Sequence, residues 1–277
     1  MPDEFEPTDL NEPAAAMPLN RLPYVETIGA LQRRETWKSD TARSLDHPVL
    51  FWITRGQGRF MVDCRLRGVG PNTAIYIPRN TLFSYDMFAQ PQGMVLSLPN
   101  DEHAGFPRRP ALVRASSVQS QAELGGLIDA LGRELSELRT GQRRAVQAHV
   151  MMIAVWLDRL LSDQPMEELG KSDKLLSRFS HVVAIGHHEG KSVGEFASEL
   201  RVTPTHLTRL TQGSVGKPAS TLLNERIINA ACEALVHTNE PIKVISERLG
   251  FSSPAYFTRA FLAQTGQNPT MFRKTRR

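Results

Sequence analysis

Only two cysteines, Cys64 and Cys232, occur in the 277 residues, one in each half of the chain. A pair so placed argues against a disulfide framework and a cysteine-based zinc site, and it fits a reducing compartment. No apolar run approaches the ~18 residues of a membrane span, and the N-terminus lacks a basic region leading into an apolar stretch. A soluble, cytoplasmic protein is therefore expected. Residues 1–20 have no basic side chain but carry five acids and four prolines. With so little to bury, this segment is expected to be a mobile acidic tail.

Near the other end one short pattern occurs twice. Thr203-Pro204 is followed by Leu207-Thr208-Arg209, and Ser253-Pro254 by Phe257-Thr258-Arg259. A Thr or Ser hydroxyl caps a helix by accepting from an orphan backbone N–H, and Pro at the next position loses no needed donor. Each copy thus predicts a helix that starts sharply, with an apolar residue four positions past the cap turned inward and an arginine on another face. Val193, Phe196, Ala197 and Leu200 recur at helical spacing before the first copy, and Ile242, Ile245, Ser246 and Leu249 before the second. Gly250 can take the left-handed conformation that ends a helix. A turn of a few residues, with small Ala197 or Ser246 where two helices meet, is the pattern of a helix-turn-helix. Between the two units Leu222, Leu223, Ile227, Ala230, Ala231, Ala234 and Leu235 predict one connecting helix.

The stretch from Ser192 to Arg273 resembles the DNA-binding domain of the AraC/XylS family of transcription regulators. The run GFSSPAYFTRAFLAQTGQNPTMFR, Gly250 to Arg273, is close to that family's signature throughout. The resemblance implies two recognition helices entering successive major-groove segments on one face of the duplex, about 34 Å apart. Two departures are local. Thr211 stands where the family usually has a large aromatic, and Lys217-Pro218 where a Ser-Pro pair usually comes one residue later.

Charge agrees with a nucleic-acid partner. Lys171 to Arg277 carry 15 Lys and Arg against 8 Asp and Glu, net +7, whereas the preceding residues carry 18 against 21, net −3. A cationic domain attracts phosphates and releases their counterions on binding. Positions near the start of a recognition helix project into the groove, so Thr205, Thr208 and Arg209 are candidate DNA contacts in the first unit, and Ala255, Tyr256 and Arg259 in the second. Arginine can bond guanine O6 and N7 together, while Ala and Thr methyls suit the thymine methyl. A blander role for the arginines is to grip phosphate or an acidic neighbour, and for Tyr256 to pack beneath its own helix. Leu207, Leu210, Phe257 and Phe261 read as core.

From Arg21 to Arg114 short apolar runs such as Val49-Leu50-Phe51-Trp52-Ile53, Phe60-Met61-Val62 and Ala74-Ile75-Tyr76-Ile77 are split by Gly, Pro and Asn. That texture predicts a small β-barrel. Its order is similar to the cupin-like sensor domain that often precedes this DNA-binding domain. Phe51, Trp52, Phe60, Tyr76, Phe83 and Tyr85 could line such a barrel around an apolar or aromatic effector, with Arg55, Arg65, Arg67 or Arg79 available for a carboxylate. A cupin-type metalloenzyme fused to a DNA-targeting domain is the competing reading. It needs clustered His and carboxylate ligands, whereas this segment has only His47 and His103, and Phe83 stands where related barrels often carry His. No metal, cofactor or catalytic residue is therefore expected. Cys64 alone cannot supply the multiple cysteines of the related alkylation-repair proteins and reads as a buried, inert thiol.

Leu124, Leu127, Ile128, Leu131, Leu135 and Leu138 form one helical stripe, and Val146, Val150, Ile153, Trp156, Leu157 and Leu160 a second. Such stripes must bury against the barrel or against a second copy; the resemblance implies a homodimer. Residues 162–172 read as a linker. The expected organisation is α+β: an acidic tail at 1–20, a cupin-like sensor at 21–114, a helical dimerisation segment at 115–170 and an all-α double helix-turn-helix domain at 171–277. The expected function is that of a bacterial one-component regulator, more commonly an activator, whose partners are double-stranded operator DNA, RNA polymerase and a small-molecule effector. A ligand-independent DNA-binding protein is the remaining alternative.

Overall fold

The computed structural model describes residues 22–34, 39–88, 90–98, 105–163 and 169–276. The acidic segment at 1–20, His103 and the middle of the expected linker lie outside the described residues. In chain order the N-terminal part comprises β1 (Tyr24–Thr27), α1 (Ile28–Arg34), β2 (Val49–Arg55), β3 (Gly58–Val62), β4 (Arg65–Val69), β5 (Thr73–Ile77), β6 (Phe83–Met87), β7 (Gln92–Ser97) and β8 (Ala111–Arg114). Two antiparallel sheets result, a five-stranded one in the order β1-β7-β2-β5-β8 and a three-stranded one in the order β4-β3-β6.

The expected barrel does not close. The central strand β2 pairs with β5 on one side and β7 on the other, so β3 begins a second sheet with β4 and β6. The outer strands of the larger sheet, β1 and β8, are met by helices instead of by the smaller sheet. Covering an edge in this way satisfies the same need as closure, which is to leave no strand open to foreign pairing. The space between the sheets is filled by Val49, Phe51, Ile53, Phe60, Phe83 and Tyr85 among others. Phe51 and Phe60 meet edge to face at 5.2 Å, and Phe60 stacks on Tyr85 at 5.4 Å. These aromatics pack one another. Trp52 and Tyr76, expected beside them, lie on the opposite face.

That opposite face carries the helical pair, α2 (Val118–Ser136) and α3 (Gln142–Ser162). Ser117 caps α2 by accepting from the Ser120 N–H at 3.0 Å. Leu124, Ile128 and Leu131 of α2 and Val146, Val150, Ile153, Trp156 and Leu157 of α3 are buried in one core with Leu50, Trp52, Tyr76 and Leu96 of the sheet. Trp156 lies 6.0 Å from Trp52 and donates its indole N–H to Ser120 O at 3.0 Å. β2 is thus buried on both faces, which is why its sequence reads as a continuous apolar run rather than an alternation. Leu138 departs from the expected stripe. It lies beyond the end of α2 and is 98% exposed.

The C-terminal part consists of α4 (Lys171–Gly186), α5 (Val193–Glu199), α6 (Pro204–Val215), α7 (Ala219–His237), α8 (Ile242–Arg248), α9 (Pro254–Thr265) and α10 (Pro269–Arg276). It does not stand apart from the β domain. Ala42, Met61, Cys64 and Leu82 share one core with Leu176, Phe179 and Val183 of α4, Leu207 of α6 and Leu222 of α7. Burial holds the Cys64 thiol far above its ordinary pKa, as an inert core thiol requires.

Polar groups on α7 complete this contact. The buried Glu225 carboxylate accepts from the Ala42 N–H at 2.8 Å and from Lys217 Nζ at 2.7 Å, and Lys217 also donates to Asp40 O at 2.9 Å. Asn229 Nδ2 donates to Thr41 Oγ1 at 3.0 Å and Ala42 O at 2.7 Å. The sequence stripe on α7 omitted both residues because polar side chains read as solvent-facing. Replacing Glu225 with Ala orphans the buried Ala42 N–H and removes the carboxylate from Lys217, so urea unfolding followed by circular dichroism is expected to show a loss of about 1–3 kcal/mol.

Candidate nucleic-acid interface

The two helix-turn-helix units are built by the same local devices. In the first, Ser192 caps α5 and Glu195 reaches back to the Ser192 N–H at 2.7 Å, a reciprocal capping box. Arg201, with φ of 60°, makes the left-handed exit, and the Val202 N–H donates to Ala197 O at 2.9 Å. In the second, Gly250 takes φ of 76° and the Phe251 N–H donates to Ser246 O at 3.1 Å. The same turn is therefore made with and without a Cβ. A short turn was legible in both, but the left-handed exit only in the second, because glycine signals a left-handed residue and arginine does not.

The second helix of each unit follows the predicted cap. Thr203 Oγ1 accepts from the His206 N–H at 3.2 Å and Ser253 Oγ from the Tyr256 N–H at 3.2 Å. Both α6 and α9 run 12 residues from a proline and end on a left-handed glycine, Gly216 or Gly266. Their inner faces differ. Leu207 and Thr211 are fully buried on α6, and Phe257 and Phe261 on α9. The Thr211 hydroxyl donates to Thr208 O at 3.1 Å, which removes the cost of burying it. The second unit closes its own core with Phe257, Phe261 and Phe272, Phe261 meeting Phe272 edge to face at 5.2 Å. The first unit, with smaller side chains, completes its core with Met61, Cys64 and Leu82 of the β domain.

The outer faces hold the candidate contacts. Thr205 and Arg209 are exposed and Thr208 is half-buried; Ala255, Tyr256 and Arg259 are exposed. Thr205, Thr208 and Arg209 share a concave surface of about 710 Å³ with Gln212 and Gly213. The sequence reading stopped at the first turns and so missed Gln212, although helical spacing continues the row 205, 208, 212. It also missed His206, whose Nδ1 lies 3.3 Å from Arg209 Nη2. Leu262, 46% exposed, holds the position on α9 that Gln212 holds on α6. Tyr256 is 54% exposed with its ring 5.8 Å from Phe251, so it lies beside its helix rather than beneath it. No acidic group among the described residues pairs with Arg209 or Arg259. By contrast Arg273, within the signature run, donates to Leu235 O at 3.3 Å and Glu240 O at 2.6 Å, which ties α10 to the end of α7.

Two features fix one reading helix relative to the other. One is the single helix α7, buried in both cores. The other is a direct backbone contact between the turn after α4 and the turn after α8. A Cβ on Gly250 would lie 2.4 Å from Gly190 Cα and 2.5 Å from Gly190 N. Near this contact His187 Nδ1 donates to Ala184 O at 2.9 Å, and burial, aided by the Arg226 charge, pushes its pKa down to about 3. It adds no positive charge to the domain at neutral pH. Among the described residues no three His, Cys, Asp or Glu side chains converge to hold a metal, and no helix is long and apolar enough to cross a membrane.

Residues 196–275 match a family described as a helix-turn-helix domain. Over 79 residues the chain is 40% identical to the uncharacterized HTH-type transcriptional regulator YfiF of Bacillus subtilis strain 168, covering 28% of this chain and 25% of that one. Over 94 residues it is 28% identical to the HTH-type transcriptional regulator Rv1931c of Mycobacterium tuberculosis, covering 32% and 36%. The matched part thus spans about a quarter to a third of the length of these curated relatives. A structure of ToxT from Vibrio cholerae with unsaturated fatty acid bound aligns over 91% of this chain and 94% of its own, with a TM-score of 0.48 and 14% identity.

Gly250 carries a test of the backbone contact. Replacing it with Ala imposes both a strained left-handed φ and a clash with Gly190, so the variant is expected to lose about 1–3 kcal/mol of stability in thermal unfolding followed by circular dichroism.

Proposed function

We propose that this chain, whose C-terminal helix-turn-helix domain resembles that of the AraC/XylS family, regulates transcription by reading operator DNA with α6 and α9 together. The observation that carries this reading is the duplicated capped helix, each copy buried on one face and exposing Thr205, Thr208 and Arg209, or Ala255, Tyr256 and Arg259, on the other. Arg209 and Arg259 are assigned to guanine edges or the adjacent phosphates. The Thr and Ala methyls are assigned to thymine, and Tyr256 to a base edge or phosphate through its hydroxyl. The net charge of +7 over residues 171–277 supplies the salt-dependent part of the affinity.

The β domain with α2 and α3 is assigned a sensing role rather than a catalytic one. It shares a core with the first reading unit but not with the second. An effector that binds one docking arrangement better than another therefore shifts the presentation of α6 relative to α9, and DNA reciprocally shifts the affinity for the effector. Activation, through contact with RNA polymerase at a bacterial promoter in the cytoplasm, is the proposed outcome.

A homodimer is part of the proposal, but by a different surface from the stripes that raised it, which are spent on the sheet. The outer face of α3 exposes Met151 and Met152, each 43% accessible. Sedimentation at micromolar concentration is expected to show a dimer that the M151E/M152E double variant converts to monomer.

On a duplex obtained by selection from random sequence, R259A is expected to weaken specific binding by about 1–3 kcal/mol and to relax preference at one position. A gel-shift titration across several salt concentrations measures both. Unchanged specific affinity would remove Arg259 from the reading surface.

A further inference from the structure

A cavity of about 930 Å³ lies outside the β core, between the β3–β4 hairpin, the segment 105–110 and α4. Its walls are strongly cationic. Arg65 of β4, Arg79, Arg108 and Arg109 come from the β domain, and Lys174 and Arg178 from α4, with His181 one turn further along. Asp63 is the one carboxylate among the described lining residues. The Ser177 hydroxyl donates to it and Ser180 also bonds it; desolvation raises its pKa above the ordinary carboxylate value, against the pull of the Arg65, His181 and Arg109 charges, so this single carboxylate offsets only part of the cationic wall. Cations brought by separate elements into one hollow repel each other, and an anion placed between them removes that repulsion. Guanidinium forks match the paired oxygens of phosphate and carboxylate.

One wall is apolar. Tyr76 and Phe106 stack there at 5.0 Å with planes 20° apart. A volume in the range of small-molecule sites, an apolar wall and cations on two sides describe a ligand with a small organic body and more than one anionic group. We infer that this cleft binds a small molecule carrying two or more phosphate or carboxylate groups, held between Arg109 of the β domain and Arg178 of α4.

The cleft is wired to the DNA-reading face by the hairpin tip. Asp63 and Cys64 both adopt left-handed φ, 57° and 55°, as a two-residue hairpin turn requires. Asp63 bonds Ser177 on the cavity wall, and Cys64 O accepts from Ser214 Oγ of α6 at 2.8 Å. A ligand that draws Arg109 and Arg178 together acts on the same tip that touches the first reading helix. The site therefore rests on the regulator reading for its consequence, whereas anion binding stands independently of it.

The test uses the full chain, with inorganic pyrophosphate and citrate as probes and sodium chloride at matched ionic strength as the control, read by titration calorimetry. At least one probe is expected to bind with one equivalent per chain. Pyrophosphate alone identifies a phosphoryl ligand, citrate alone a polycarboxylate, and both a general polyanion site. R109A/R178A is expected to weaken binding about tenfold or more, while R209A/R259A, which strips the DNA-facing cations, leaves it unchanged. R108Q/K174Q serves as a second variant should circular dichroism show the first unfolded. Binding of neither probe above the chloride control overturns the inference, as does loss of binding in R209A/R259A with retention in R109A/R178A. Gel shifts on the selected duplex without added anion are run in parallel. Absence of specific DNA binding there sinks the regulator reading and leaves the anion site standing.

Discussion

Helix α7 presents a different partner on each of its faces. Leu222 and Leu223 enter the core shared by the β domain and the first reading unit, while Ile228, Ala231, Cys232 and Leu235 enter the core of the second. Glu225 and Asn229 bond the backbone of the segment around Ala42. A helix held by three such sets of contacts cannot rotate or slide without breaking one of them, because close-packed interiors have few intermediate arrangements. The contact of Gly190 with Gly250 adds a second tie, in which two main chains meet where a side chain would otherwise intervene. Through these two constraints the short helices α6 and α9 become one reading surface.

The two units are nevertheless unequal. The second is sealed by aromatic side chains on α9 and α10, whereas the first depends on the β domain to finish its core. This asymmetry gives the β domain mechanical access to only one of the two reading helices. A change in docking is then felt at α6 while α9 keeps its packing. For a protein assigned to respond to a signal, placing the softer core at the domain contact gives the response a physical location. The cationic cleft lies against that same contact, with α4 as its far wall.

Much of the C-terminal domain was legible because its signals are local. A Thr or Ser followed by Pro, an inward apolar residue four positions on and a left-handed exit all act within one or two turns of backbone. They keep the same meaning in any surroundings. The N-terminal domain was less legible. Strand texture was evident from Gly, Pro and Asn between apolar runs, yet the same texture serves a closed barrel and a pair of sheets flanked by helices. Trp52 and Tyr76 were grouped with the barrel-lining aromatics but lie on the other face, since a strand apolar on both sides carries no alternation to read. Arg65 and Arg79 were assigned to a barrel interior; they line a cleft between domains instead, with partners from α4 more than ninety positions away in sequence.

The sequence by itself determined the two reading helices, their caps, their inward residues and the basic charge of the domain that bears them, because hydrogen bonding within a turn and helical periodicity depend only on neighbours along the chain. Only the tertiary structure decided that the sheets do not close, that the stripes of α2 and α3 are consumed within one chain, that Glu225 and Asn229 are buried and that cations from two domains meet in one cleft. Each of these is settled by contacts between residues distant in sequence, where burial and charge depend on what arrives from elsewhere rather than on the residue's own type.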